Sequence, residues 1–125
     1  MEIENDPAVF DTQIILNNLM NDKALAVKIM KRFISNIPIQ ITALTGFIEN
    51  KSVEEAERQA HTIKGAASNV GGKALQALAY KMEKAGKAGD LEAIQMDMPQ
   101  LKKQFEILKN AMEPILMSWE GDETF

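Results

Sequence analysis

Residues 52–72 read SVEEAERQAHTIKGAASNVGG, and this stretch carries both ends of one helix. Ser52 followed three residues later by Glu55 is a capping box, the sequence signature of a helix N-terminus. Gly71 and Gly72 close the segment with residues suited to a tight, left-handed connection. Between them Val53, Ala56, Ala60, Ile63, Ala67 and Val70 recur in steps of three and four, one apolar seam of a helix. Most of that seam is small, so neighbouring helices can approach closely. The stretch also holds the only histidine of the chain, with Lys64 and Gly65 three and four residues on. Positions at that spacing are neighbours on one helix face. At about 100° per residue, His61 points roughly 120° away from the seam, beside Ser68 and between Lys64 and Gly65. His61 is therefore expected at the surface and not as a hydrogen-bonded core histidine. Glycine inside a helix costs up to about 1 kcal/mol relative to alanine. Access to His61 or close packing against a neighbouring helix would explain Gly65.

The flanking sequence is helical as well. Upstream, Asp11 or Thr12 caps a short helix carrying Ile14, Ile15, Leu16 and Leu19. Asn21 and Asp22 open a long one with the seam Met30, Phe33, Ile37, Ile41, Leu44 and Ile48, which Pro38 should bend. Downstream, Leu75, Leu78, Ala79, Met82 and Ala85 form the inward face of a third long helix that ends near Gly86 to Gly89. Asp90 caps the last, with Leu91, Ile94, Met98, Leu101, Phe105, Leu108 and Met112 inward. Pro99 either kinks this helix or restarts it with Asp97 as a cap. Pro114 is expected to stop it, leaving Ile115 to Trp119 as a docking segment before a polar tail, Glu120 to Phe125. Trp119 is read as packing on the bundle, and the eight methionines as core filler. No period-2 alternation points to a strand. The expected fold is all-α: an antiparallel four-helix bundle with a short additional N-terminal helix. It forms one domain over residues 1–125, with a bundle core at about 22–113 and a C-terminal extension at 114–125.

Composition narrows the function classes. With 46% hydrophobic and 26% charged residues over 125 positions, the chain is long and apolar enough for one real core. Zero cysteines exclude disulfides, thiolate metal sites and cysteine nucleophiles, and fit a cytoplasmic protein. The acidic N-terminus, MEIENDP, lacks the apolar core of a secretory signal, and no apolar run is long enough to span a membrane. A net charge of −4 argues against nucleic acid as a partner. The charge is uneven, however: between His61 and Ala88, Lys64, Lys73, Lys81, Lys84 and Lys87 face one acid, Glu83. Such a patch is either a solvated face or the footprint of an anionic partner.

Three residues form a candidate site. His61 lies ten residues before Gly71 and Glu83 eleven after Gly72, which puts both at about one height in an antiparallel pair. A carboxylate there could accept a hydrogen bond from Nδ1–H and leave Nε2 free as a nucleophile. Otherwise Glu83 is a surface acid between Lys81 and Lys84. Lys64 would offset the nearly two negative charges of a phosphoryl group on Nε2. A lone imidazole without companions makes a poor metal site, and no metal ligands are assigned.

His61-Thr62-Ile63-Lys64-Gly65, with Gly71 six residues further on, resembles the motif of histidine-containing phosphotransfer (HPt) domains. The likeness extends through Leu75 and Met82-Glu83 to Gly89-Asp90, and includes the proline in the helix before the motif. It implies a four-helix bundle with one phosphorylatable histidine and no kinase activity of its own. Such domains take a phosphoryl group from a receiver domain's aspartyl phosphate and pass it to another receiver's aspartate. Mapped here, the resemblance makes His61 the phosphorylated residue, Lys64 its charge partner, Gly65 the clearance position and Glu83 the residue that orients the imidazole. It implies receiver domains of response regulators or hybrid sensor kinases as partners, and no cofactor on this chain, the Mg²⁺ belonging to the receiver. Gly65 and Ser68, with Ile15 and Leu19 of the N-terminal helix, are the expected docking residues.

Two other readings stand beside the phosphorelay intermediate. One is the phosphoacceptor domain of a hybrid or chemotaxis-type sensor kinase. The chain has no Gly-rich ATP site, so it is not expected to phosphorylate itself. The other is a structural or adaptor bundle in which His61 is incidental, which requires the motif, the exposed phase and the height of Glu83 to coincide by chance.

Overall fold

The computed structural model describes residues 6–122. The N-terminal five residues and the last three of the polar tail lie outside them. Five helices follow one another: α1 (Thr12–Asn18), α2 (Lys23–Glu49), α3 (Val53–Val70), α4 (Lys73–Lys87) and α5 (Leu91–Asp122). α2 packs on α3, α3 on α4 and α4 on α5, and α5 closes the ring against α2. Short connections make successive helices antiparallel, as in an up-down-up-down bundle. α1 lies across α2 and α3.

The seams read from the sequence form the core. Met30, Phe33, Ile37, Ile41, Leu44 and Ile48 of α2 are buried, as are Ala56, Ala60, Ile63, Ala67 and Val70 of α3. Ile94, Met98, Leu101, Phe105, Leu108 and Met112 of α5 join them. The methionines divide: Met30, Met82, Met98 and Met112 fill the core, whereas Met20, Met96 and Met117 are exposed and fill nothing.

Helix ends follow side-chain and backbone chemistry. The carboxylates of Asp11, Asp22 and Asp90 accept hydrogen bonds from the N–H groups of Gln13, Leu25 and Ala93, each close to 3 Å. Ser52, by contrast, makes no side-chain cap bond, so no reciprocal capping box forms. The turn before α3 closes the C-terminus of α2: Lys51 takes a positive φ of 58°, and the N–H of Ser52 reaches back to the carbonyl of Phe47 at 2.8 Å. At the other end of α3, Gly71 has φ +78° and the N–H of Gly72 bonds the carbonyl of Ala67 at 2.8 Å. Both are left-handed closures of the Schellman type.

Prolines terminate less than the sequence suggests. α2 runs unbroken through Pro38, and α5 runs through both Pro99 and Pro114 to Asp122. The stop at Pro114 is therefore corrected, and residues 114–122 continue the bundle instead of forming a separate extension. One interior proline costs about 3 kcal/mol. Beyond it Ile115, Leu116 and Trp119 are all buried, and each large apolar side chain contributes roughly 1.5–3 kcal/mol. Lys31 pairs with Glu120 at 3.3 Å, and the Lys23 ammonium lies 5.9 Å from the Trp119 ring centre. Burial plus these contacts outweighs the lost hydrogen bond. Asp97, read as a possible cap, pairs instead with Lys81 at 3.3 Å.

Close approach of α3 and α4 depends on Gly86. A Cβ there would lie 2.5 Å from the Cβ of Glu57 and 3.0 Å from its Cα, so the two backbones meet where a side chain is missing. Gly86→Ala should therefore lower stability by about 1–3 kcal/mol through overpacking, despite the better helix propensity of alanine. Urea unfolding followed by circular dichroism checks this; equal or greater stability would refute the close packing.

Candidate functional site

The site stands on the facing sides of α3 and α4, away from the ends of either helix. The phase of α3 turns His61 outward, and its side chain is 63% exposed. The phase of α4 does the opposite to Glu83. It lies in line with Leu75, Ala79, Met82 and Gly86 and is the one buried charged residue among the described residues, 3% exposed. The tight turn at Gly71 and Gly72 brings the two to one level, and His61 Nδ1 lies 2.7 Å from Glu83 Oε2. An ionised carboxylate only accepts, so Nδ1 carries the proton and donates it. That tautomer leaves the lone pair of the neutral ring on Nε2, the far side of the ring from Glu83.

Two ammonium groups complete the surroundings of the carboxylate. Lys64 Nζ contacts Oε1 at 2.7 Å, an ionic contact outside hydrogen-bond angles, and Lys87 Nζ stands 3.6 Å from Oε2. Burial pushes the Glu83 carboxyl up, but the Lys64 ammonium and the His61 imidazole beside it outweigh burial and hold it below the ordinary glutamate value. The anion is thus the form the fold selects. The basic patch of the sequence is largely spoken for: Lys73 pairs with Asp11 at 3.1 Å and Lys81 with Asp97. Lys84 lies 4.7 Å and Lys64 5.1 Å from the ring centre of Tyr80.

The expected site residues separate on inspection. His61 and Glu83 are together as read, and Lys64 joins them through Glu83. Lys64 lines a hollow with Lys73, Gln76, Ala77 and Tyr80, whereas His61 opens on a different cleft with Glu57, Arg58, Thr62, Glu83 and Lys87. A Cβ on Gly65 would meet no atom within 4 Å, so this glycine leaves room outside the molecule and none is needed for helix packing. Ser68 is half-buried on the same side. Ile15 requires correction. It is fully buried in the core and Leu19 packs half-buried against it, because α1 is fastened inward. The N–H of Asp11 bonds the Gly71 carbonyl at 2.8 Å, and the Asn18 side chain donates to the Asn69 carbonyl at 3.1 Å. A shallow groove between α2 and α3 lies beside Gly65 instead; the partly exposed Ile29 and Ala66 line it, with the buried Phe33, Ile37 and Val70 at its floor and Arg32, Asn36, Gln40 and Asn69 among its polar walls.

Arg58 and Tyr80 were not picked out by sequence reasoning; Lys87 was read only as part of the basic patch and Gly86 only as a helix end. Lys87 follows Glu83 by four residues and Lys84 follows Tyr80 by four, so the spacing rule for helix pairs could have found both contacts. Arg58 precedes His61 by three residues, so the same rule could have placed it on that face.

The depressed acidity of Glu83 has a pH consequence. A carboxyl with a lowered folded-state pKa contributes stability that is present above its unfolded value and is lost as pH falls through the folded one. The stability difference between wild type and Glu83→Gln should therefore be largest near neutral pH and shrink below about pH 4. Urea unfolding of both proteins across that range checks the sign, and a gap that widens on acidification would contradict it.

Comparison with known proteins places the chain in a family. The model of the Hpt domain family matches residues 28–111. The phosphorelay intermediate protein rdeA of Dictyostelium discoideum is 25% identical over 111 residues, covering 89% of this chain and 44% of that protein. The chain thus spans less than half the length of this curated relative. The crystal structure of the HPT domain from an Hpt sensor hybrid histidine kinase of Shewanella superposes with a TM-score of 0.76 at 17% identity, covering 90% of this chain and 97% of that one, a likeness of fold. With His61 exposed, its Nδ1 held and a family match over most of the bundle, the chain belongs to the Hpt domain family.

Proposed function

We propose that this chain is a phosphorelay intermediate in which His61 takes a phosphoryl group from the aspartyl phosphate of one receiver domain and gives it to the aspartate of another. The single observation that carries this reading is the exposed imidazole whose Nδ1 is fixed 2.7 Å from a buried carboxylate. Family membership and the rdeA relative support it. The lone pair of Nε2 attacks phosphorus. The Nε2–P bond forms as the bond between phosphorus and the aspartyl oxygen breaks, and that electron pair leaves with the aspartate carboxylate. Nδ1 keeps its proton, so the ring gains positive charge, which the Glu83 anion stabilises. Return of the group to a second aspartate reverses each step.

In this role the chain is a phosphocarrier and supplies no nucleotide site. The receiver brings the Mg²⁺ and the second half of the geometry, and docking provides the alignment for in-line transfer. Lys64 helps to keep Glu83 ionised. The bare backbone at Gly65, Ser68 beside it and the α2–α3 groove form the docking face. Among the described residues, no helix is long and apolar enough to cross a membrane.

The test is phosphorylation by a charged receiver. Wild type should acquire an acid-labile, alkali-stable phosphate and His61→Gln none; label on the variant would overturn the assignment. Glu83→Gln should slow transfer roughly 10- to 100-fold, the worth of a hydrogen bond to a charged group of about 1.5–3 kcal/mol. Gly65→Gln points a side chain into open space, so the protein should stay fully folded while transfer from the receiver falls by at least about tenfold, the scale on which misplacing the reacting groups acts. Unchanged transfer would remove Gly65 from the docking face.

A further inference from the structure

Resting on that reading, the structure raises the question of which cation meets a phosphoryl group on Nε2. Lys64, the expected partner, is not in the His61 cleft. Its ammonium is held by Glu83 Oε1 and leans on Tyr80, its side chain is only 25% exposed, and the hollow it lines lies on the other side of the Glu83 pair. The open cleft of about 450 Å³ that contains His61 has two cationic walls, Arg58 and Lys87. Lys87 is already engaged with Glu83. Arg58 is exposed, and its guanidinium has no ion pair among the described residues.

The lining of the two hollows strengthens the case: Glu57 and Arg58, one turn before His61, share its cleft, whereas Lys64, one turn after it, does not. Arg58 precedes His61 by three residues and so shares its face. With Nδ1 tied back to Glu83, Nε2 faces away from that carboxylate. We infer that Arg58 is a phosphoryl-binding residue, its guanidinium donating to the oxygens of the group on Nε2 of His61, while Lys64 acts through Glu83. A planar guanidinium fork suits phosphoryl oxygens well, and an unpaired one loses no existing partner on engaging them.

The experiment uses two small reagents on the intact chain, whose single histidine removes ambiguity. Phosphoramidate delivers an anionic phosphoryl group: Nε2–P forms, the donor's P–N bond breaks and ammonia leaves. Diethyl pyrocarbonate acylates the same nitrogen but is neutral. Arg58→Gln should slow phosphorylation by roughly 10-fold, the scale of one lost charge-assisted hydrogen bond, and leave acylation at the wild-type rate. Arg58→Lys should recover most of the phosphorylation rate. Wild-type phosphorylation of Arg58→Gln would overturn the inference, and so would equal slowing with both reagents, which would mean that the imidazole itself had been disturbed. If wild-type His61 is acylated but takes no phosphoryl group from phosphoramidate or from any charged receiver, the phosphorelay reading fails and the inference with it.

Discussion

The buried carboxylate of Glu83 is the constraint around which this protein is arranged. A charge at 3% exposure is tolerable only with partners, and the fold supplies them from both helices of the hairpin. His61 and Lys64 come from α3, and Lys87 from one turn further along α4. The dependence runs both ways. Without the carboxylate the imidazole would lose its fixed tautomer and direction; without the imidazole and the ammonium, burial would push the carboxyl up. Both require the helices to stand close, which the small residues of the α3 seam and the missing side chain at Gly86 permit.

Much of this was legible in one dimension, and for definite reasons. Period and phase are properties of spacing alone, so the seams of α2, α3 and α5 and the outward direction of His61 followed directly. The level of Glu83 followed as well, because a two-glycine turn leaves little slack between paired helices. What spacing could not give was the direction of long side chains. Lys64 has four rotatable bonds and turned toward Glu83 and Tyr80. Arg58 stood one turn before His61 on the same face, but spacing alone does not say which cleft its long side chain lines.

The misreadings share a physical cause: a local preference overruled by packing. Pro114 is a poor helix residue, yet Ile115, Leu116 and Trp119 beyond it hold the helix together through burial. The Ser52–Glu55 pattern is a fair capping signal, but Ser52 makes no side-chain cap bond, and the left-handed turn at Lys51 that precedes it closes α2. Ile15 looked available because α1 is short and amphipathic. Its anchorage on the Gly71 carbonyl, a main-chain atom at the hairpin turn, rolled that side chain into the core.

The open space at Gly65 and the single cleft at His61 bear on timing in the proposed role. One imidazole on one face can be occupied by one receiver at a time, so the protein that delivers the phosphoryl group must depart before the one that removes it can arrive. Donor and acceptor are then rivals for the same few square ångströms, and each uncharged receiver inhibits the other's access. The kinetics are those of a shuttle with a covalent memory: two half-reactions joined only by the modified side chain. Throughput in such a system is set as much by how quickly receivers let go as by how tightly they hold.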